Sequence, residues 1–199
     1  MIKTIILDLG GVFLNRGIWK FWDYAGDRFG IGFEKAKDSF LKYYKEYFSG
    51  KISEEMFWKD YLSEIGIKED WRKLKEILLD FFEPNEGMIE LCKELRTNGI
   101  KLILLSDQTR EWWPFLNDKF KIDSYFDSTI VSALVGVHKP DPKIYQMAVE
   151  VSGMKPEECI FVDDLEHNLE PAEKIGMKTI FFKDPKQLRG DLIRIGLIN

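Results

Sequence analysis

Four short segments of this chain gather side chains that can handle an anion and a cation together: Leu7-Asp8-Leu9-Gly10-Gly11-Val12, Leu105-Ser106-Asp107, His138-Lys139-Pro140-Asp141-Pro142 and Val162-Asp163-Asp164. Brought to one place, the carboxylates at 8, 163 and 164 would repel one another unless a cation lay among them. Hard oxygen ligands and a site that keeps some water select Mg²⁺ over zinc. A metal and a lysine together make an anion site. Gly10 and Gly11 let backbone N–H groups approach a phosphoryl group, Ser106 can donate to one of its oxygens, and Lys139 can neutralise its charge. Asp8 is then placed to attack phosphorus, dividing one displacement into two through an aspartyl phosphate.

These segments need elements that converge. Apolar runs rich in Ile, Leu, Val and Phe recur at Thr4–Leu7, Lys101–Leu105, Ser128–Val131, Ile160–Val162 and Thr179–Phe182, and such runs suit strands buried on both faces. From residue 85 onward they alternate with helical stripes. Met88, Ile89, Leu91, Cys92 and Leu95 form one, stopped by Gly99; Ile144, Tyr145, Ala148 and Val151 form another, stopped by Gly153. Asp141-Pro142 reads as an N-cap followed by proline in the first helical turn. This rhythm predicts an α/β fold with a Rossmann-like parallel sheet, and in such sheets ligands bind where the carboxyl ends of the strands meet. All four chemical segments fall at or after those ends.

Residues 16–83 break the pattern. They contain no convincing strand, and helical stripes separated at Gly30–Gly32, Gly50 and Gly66 replace it. The chain is therefore expected to divide into an α/β core, residues 1–15 and 84–199, and an inserted helical unit, residues 16–83. Much of the 14% aromatic content lies in the insert, and its three- and four-residue spacing assigns most of it to the insert's own packing. Two adjacent indoles, Trp112 and Trp113, cannot point the same way along a helix, so at least one is a packing residue.

Composition narrows the partners. Lys and Arg total 29 against 34 Asp and Glu, a formal net charge of −5 over 199 residues, which leaves no basic surplus for a nucleic-acid backbone. The two cysteines, Cys92 and Cys159, have no metal-site or disulfide spacing and read as buried thiols of a reducing compartment. Asp8 interrupts the apolar N-terminal run, and no stretch approaches the roughly 20 apolar residues of a membrane span. The expectation is a cytoplasmic protein with no membrane or nucleic-acid partner; the sequence leaves its oligomeric state open.

Taken in order, the segments IILDLGGV, LILLSD, GVHKPDPKIY and FVDDLEHN resemble the four motifs of the haloacid dehalogenase (HAD) superfamily, and the insert resembles the helical cap that follows strand one in that family. The resemblance implies that Asp8 is the nucleophile, acting with Ser106 and Lys139. It implies a phosphate-contacting set of Leu9, Gly10, Ser106, Asp107 and Lys139. It also implies a Mg²⁺ site made by Asp8, the Gly10 carbonyl, Asp164 and Asp163, with Asn168 behind them. The implied activity is Mg²⁺-dependent hydrolysis of a small phosphorylated metabolite such as a sugar phosphate.

Two positions depart from the family pattern. Gly10 stands where phosphatases of the family carry a second Asp that serves as general acid and base, a loss that ordinarily costs on the order of 10²–10⁴ in rate. A bacterial subgroup including α-D-glucose-1-phosphate phosphatases shares the Asp-x-Gly opening and a related third motif, and the chain is similar to it. Asp107 stands where many relatives have Asn; it reads either as a solvent-facing loop residue or as a partial replacement for the missing proton-transfer group. His138 is either a surface residue, a contact to a substrate hydroxyl or an acid. Two further readings remain open from the sequence: a metal-independent 2-haloacid dehalogenase, and a non-catalytic member that binds a phosphorylated ligand or a partner protein.

Overall fold

In the computed structural model, which describes residues 1–199, the apolar runs form β1 (Thr4–Leu7), β2 (Lys101–Ser106), β3 (Ser128–Val131), β4 (Cys159–Asp163) and β5 (Lys178–Phe181). All pair in parallel, in the order β3-β2-β1-β4-β5. β1 is central: all four of its residues are buried, Ile5, Ile6 and Leu7 supplying apolar side chains to both faces, and it pairs on both sides, with Leu7 opposite Leu104 and Val162. That register brings Asp8, the residues after Ser106 and the end of β4 to one edge.

Alternate strand residues point to opposite faces. Ile5, Leu7, Leu102, Leu104, Ile160 and Val162 join the larger core, together with α5 (Met88–Thr97), α6 (Trp112–Phe120) and α10 (Pro185–Arg194). Ile6, Ile103, Leu105 and Phe161 face a smaller core closed by α8 (Pro142–Ser152) and α9 (Glu166–Lys174). Asp141 caps α8 as its spacing suggests, accepting the Lys143 N–H at 2.9 Å.

Four helices occupy the insert: α1 (Gly17–Phe29), α2 (Phe33–Phe48), α3 (Glu54–Ile65) and α4 (Trp71–Asp80). Phe21, Phe40, Phe57, Trp58 and Tyr61 are fully buried among themselves, largely in edge-on or tilted pairs with centroids 4.9–6.3 Å apart. Trp112, from the core, completes this cluster and donates its indole N–H to Glu54 at 2.9 Å. Trp113 is also buried, so neither indole offers an open stacking face.

The two strands of chain that join insert to core run side by side. Leu14 bridges to Pro84, and Asn15 N–H donates to the Glu83 carbonyl at 2.8 Å. Asn85 fastens the crossing by donating its side-chain amide toward the carbonyls of Gly11, Val12 and Leu14, at 2.7 Å for Val12. A second seam forms where the Ser132 hydroxyl donates to the Phe48 carbonyl at 2.6 Å and Arg110 donates to the Ala133 carbonyl at 2.9 Å, close against Gly50. The short helix α7 (Ser132–Val135) lies at this seam.

Candidate active site

At the carboxyl edge of the sheet, Lys139 reaches in from the loop between α7 and α8. Its ammonium donates to Asp8 Oδ1 at 2.6 Å and to Asp163 Oδ2 at 2.7 Å, with the lysine side chain only 2% exposed. Asp163 is held from behind: the Leu165 N–H donates to its Oδ1 at 2.8 Å and the Asn168 amide to both oxygens at 3.1 Å. Lys139 takes Asp8 by one oxygen and leaves the other with no protein partner.

One oxygen each from Asp8, Asp163 and Asp164 lie within 4.8 Å of one another. The Oδ1 atom of Asp164 is buried without a hydrogen-bond partner, an expensive state for a carboxylate unless something else binds it. Space for Asp164 exists only because residue 11 is glycine, with φ +97°; a Cβ there would fall 2.1 Å from Asp164 Oδ2. Hard oxygen donors, a clustered negative charge and an orphaned ligand atom fit a Mg²⁺-type cation.

The titrations follow from this crowding. Burial raises the Asp8 carboxyl well above its usual range, and Asp163 and Asp164 add to the rise against the pull of Lys139. Asp164 is raised for the same reasons, burial first and Asp163 second, with Arg16 opposing. Burial pushes Lys139 down, but Asp163, Asp8 and Asp107 together overcome it and hold the ammonium charged. A divalent cation would reverse the pressure on the carboxylates.

Beside the trio lies a set of unpaired donors. The backbone N–H groups of Leu9, Gly10 and Asp107 donate to no carbonyl or side chain, and the buried Ser106 hydroxyl also lacks a partner. Unpaired N–H groups at such an edge are available to an anion. Asp107 uses Oδ1 to accept the Lys139 N–H at 2.9 Å, so it anchors the loop that delivers the lysine; burial raises its carboxyl, against the effects of Lys139 and His138. His138 turns its Nδ1 to the Lys139 carbonyl.

Two residues near the site were not singled out by chemistry in the sequence. Arg16 donates Nε–H to Asp164 Oδ2 at 2.6 Å. Tyr44, on α2, stacks on Phe48 at 4.0 Å and makes no hydrogen bond; burial raises its phenol, as do Asp107, Asp8 and Asp163 against Lys139. Helical spacing places Tyr44 on a packing stripe, and only the fold carries that stripe over the crevice.

Comparison with known proteins gives consistent results. The sequence profile of the haloacid dehalogenase-like hydrolases matches residues 2–176. Flavin mononucleotide hydrolase 1 of Arabidopsis thaliana is 30% identical over 152 residues, covering 76% of this chain and 61% of that protein. Glyceraldehyde 3-phosphate phosphatase of Pyrococcus furiosus is 35% identical over 106 residues, 53% of this chain and 42% of that protein. The chain thus spans less than two thirds of the length of either relative. Among solved structures, a HAD family enzyme of Bacteroides thetaiotaomicron superposes with a TM-score of 0.75 at 26% identity, covering 92% of this chain and 95% of that one; it has also been crystallised with magnesium and inorganic phosphate. No helix of this chain is long and apolar enough to cross a membrane.

Proposed function

This chain belongs to the haloacid dehalogenase-like hydrolase family, and from that premise we propose that it is a Mg²⁺-dependent phosphohydrolase of small phosphorylated metabolites, sugar phosphates among them. The observation that carries the reading is the juxtaposition of four unpaired donors, the N–H groups of Leu9, Gly10 and Asp107 and the Ser106 hydroxyl, with the free oxygen of Asp8. Asp8, the Gly10 carbonyl and Asp164 would hold the cation, with Asp163 supporting them. When bound, Mg²⁺ supplies positive charge that offsets repulsion between phosphoryl and carboxylate oxygens.

In this reading the donors hold the phosphoryl oxygens while Lys139 fixes Asp8. The free Asp8 oxygen forms a bond to phosphorus as the P–O bond to the alcohol breaks. Gly10 has no side-chain proton to give, so the departing oxygen takes its proton from water. A second water then cleaves the aspartyl phosphate, releasing phosphate and restoring Asp8. The insert, residues 16–83, acts as a cap over this chemistry, with Tyr44 on its crevice side.

The Asp-Leu-Gly opening and His-Lys-Pro segment support placement near the α-D-glucose-1-phosphate phosphatases, and the relatives named as hydrolases of phosphate compounds favour this reading over a dehalogenase. A haloacid would also bring its own carboxylate to a site already holding three. The test is phosphate release with and without Mg²⁺ from p-nitrophenyl phosphate, hexose phosphates, a triose phosphate and flavin mononucleotide. Activity should vanish in Asp8→Asn; equal turnover in that variant would remove the nucleophile, and chloride release from a 2-haloacid without metal would replace the reading altogether.

A further inference from the structure

Arg16 lies where the β1 loop becomes α1, and it is bound to the most metal-suited carboxylate of the site. Its Nε–H donates to Asp164 Oδ2 at 2.6 Å, its Nη2 reaches toward the Asp164 carbonyl at 3.4 Å, and its guanidinium stacks 4.5 Å from the Trp19 ring centroid. The Asp164 side chain is 4% exposed, whereas that of Arg16 is 41% exposed. The two carboxylate oxygens therefore have different lives: Oδ2 belongs to Arg16 and Oδ1 is buried and unpartnered, on a carboxylate that comes within 4.8 Å of those of Asp8 and Asp163.

We propose that Arg16 is a positioning residue and counter-ion of the Mg²⁺ site, aiming Asp164 Oδ1 at the cation and holding Mg²⁺ affinity down by its own charge. The inference rests on the Mg²⁺ reading above. Without Arg16, three clustered carboxylates face one lysine. With it, the metal-free cluster carries one less unbalanced negative charge, and Asp164 keeps its direction before any cation arrives. A guanidinium suits this task because its planar set of donors serves the Asp164 carboxylate and main-chain carbonyl together while its face rests on the Trp19 indole.

Two effects compete when Arg16 is removed. Asp164 loses a partner that orients it, which weakens metal binding; the site loses a repelling charge one carboxylate away from the cation, which strengthens it. Even at the high effective dielectric of a partly exposed site, a unit charge roughly 5 Å from a divalent ion changes affinity by more than about tenfold. Asp164 also remains confined by burial and by its close fit against Gly11, so the loss of orientation is the smaller effect. The charge therefore decides the sign.

Isothermal titration of the full chain with MgCl₂ alone, at low ionic strength, tests this in wild type, Arg16→Met and Arg16→Lys. Arg16→Met should bind Mg²⁺ at least about tenfold more tightly, and Arg16→Lys, which keeps the charge, within about threefold of wild type. Thermal unfolding provides a second readout: Arg16→Met should unfold earlier without metal and gain more from Mg²⁺. Unchanged or weaker Mg²⁺ binding in Arg16→Met, or Arg16→Lys matching Arg16→Met, overturns the proposal while leaving the Mg²⁺ reading intact. A wild-type chain that binds no Mg²⁺ overturns both.

Discussion

Adding one methyl group at residue 11 should damage the site far more than adding it at residue 10. In Gly11→Ala, the new Cβ would stand 2.1 Å from Asp164 Oδ2, 2.4 Å from its Cγ and 2.7 Å from Oδ1, on a backbone with φ +97°. An ordinary C···O approach is about 3.3–3.6 Å, so the Asp164 carboxylate must retreat by on the order of 1 Å. A displacement of that size at a reacting site costs roughly 10²-fold in rate. The left-handed backbone adds about 1–2 kcal/mol for a residue with a side chain, which in a chain of this size lowers the unfolding midpoint by about 2–8 °C. At Gly10 a Cβ meets nothing within 4 Å, φ lies outside the left-handed region, and alanine keeps the carbonyl proposed as a metal ligand. Gly10→Ala should therefore stay within about 0.5 kcal/mol of wild type. Calorimetric unfolding, Mg²⁺ titration and phosphate release at saturating Mg²⁺ would be measured on both variants. Equal losses in the two, or undiminished Mg²⁺ affinity in Gly11→Ala, would refute the steric argument.

Lys139→Met removes the cation shared by two buried carboxylates; the uncompensated charge should cost about 3–5 kcal/mol, seen as an earlier thermal transition that Mg²⁺ partly restores. An unaltered transition would mean that Asp8 and Asp163 do not depend on the lysine. Asp107→Asn keeps an acceptor for the Lys139 N–H and should preserve turnover and its pH profile, whereas Asp107→Ala should lose turnover; comparable losses in both would instead assign Asp107 a proton-transfer role. Asp8 has a folded-state pKa raised mainly by burial, so its stabilising contribution is complete below the ordinary carboxylate range and disappears as pH rises through the raised value. Metal-free Asp8→Asn should accordingly be more stable than wild type at neutral pH, and the gap should close on acidification; a gap that widens toward low pH would contradict the assigned direction.

The strand segments and the order of chemical residues were legible in the sequence because each strand is a short apolar run, and a polar residue ends it. Thr4–Leu7 and Ser128–Val131 coincide with strands at both bounds, and Asp141 caps its helix through the expected side-chain bond. The helical insert was legible for a similar reason: its aromatic spacing is strictly helical and no strand-like run interrupts it. The unpaired N–H groups of Leu9 and Asp107 were not, because hydrogen-bond vacancy depends on what the rest of the backbone leaves unused.

Local chemistry and periodicity therefore determined the parallel α/β class, the helices between β1 and β2, and the candidate set of Asp8, Ser106, Lys139, Asp163 and Asp164. Tertiary structure alone decided which oxygen of Asp8 is free, that Asp107 anchors the lysine loop, that Asp164 divides its oxygens between Arg16 and an open position, and that the packing stripe bearing Tyr44 lies near the crevice. Residue spacing reports which side chains share a strand or helix face. It carries no record of partners more than a hundred residues away, such as Arg16 with Asp164 or Lys139 with Asp8, and those are set only when the sheet brings its carboxyl edge together beneath the insert.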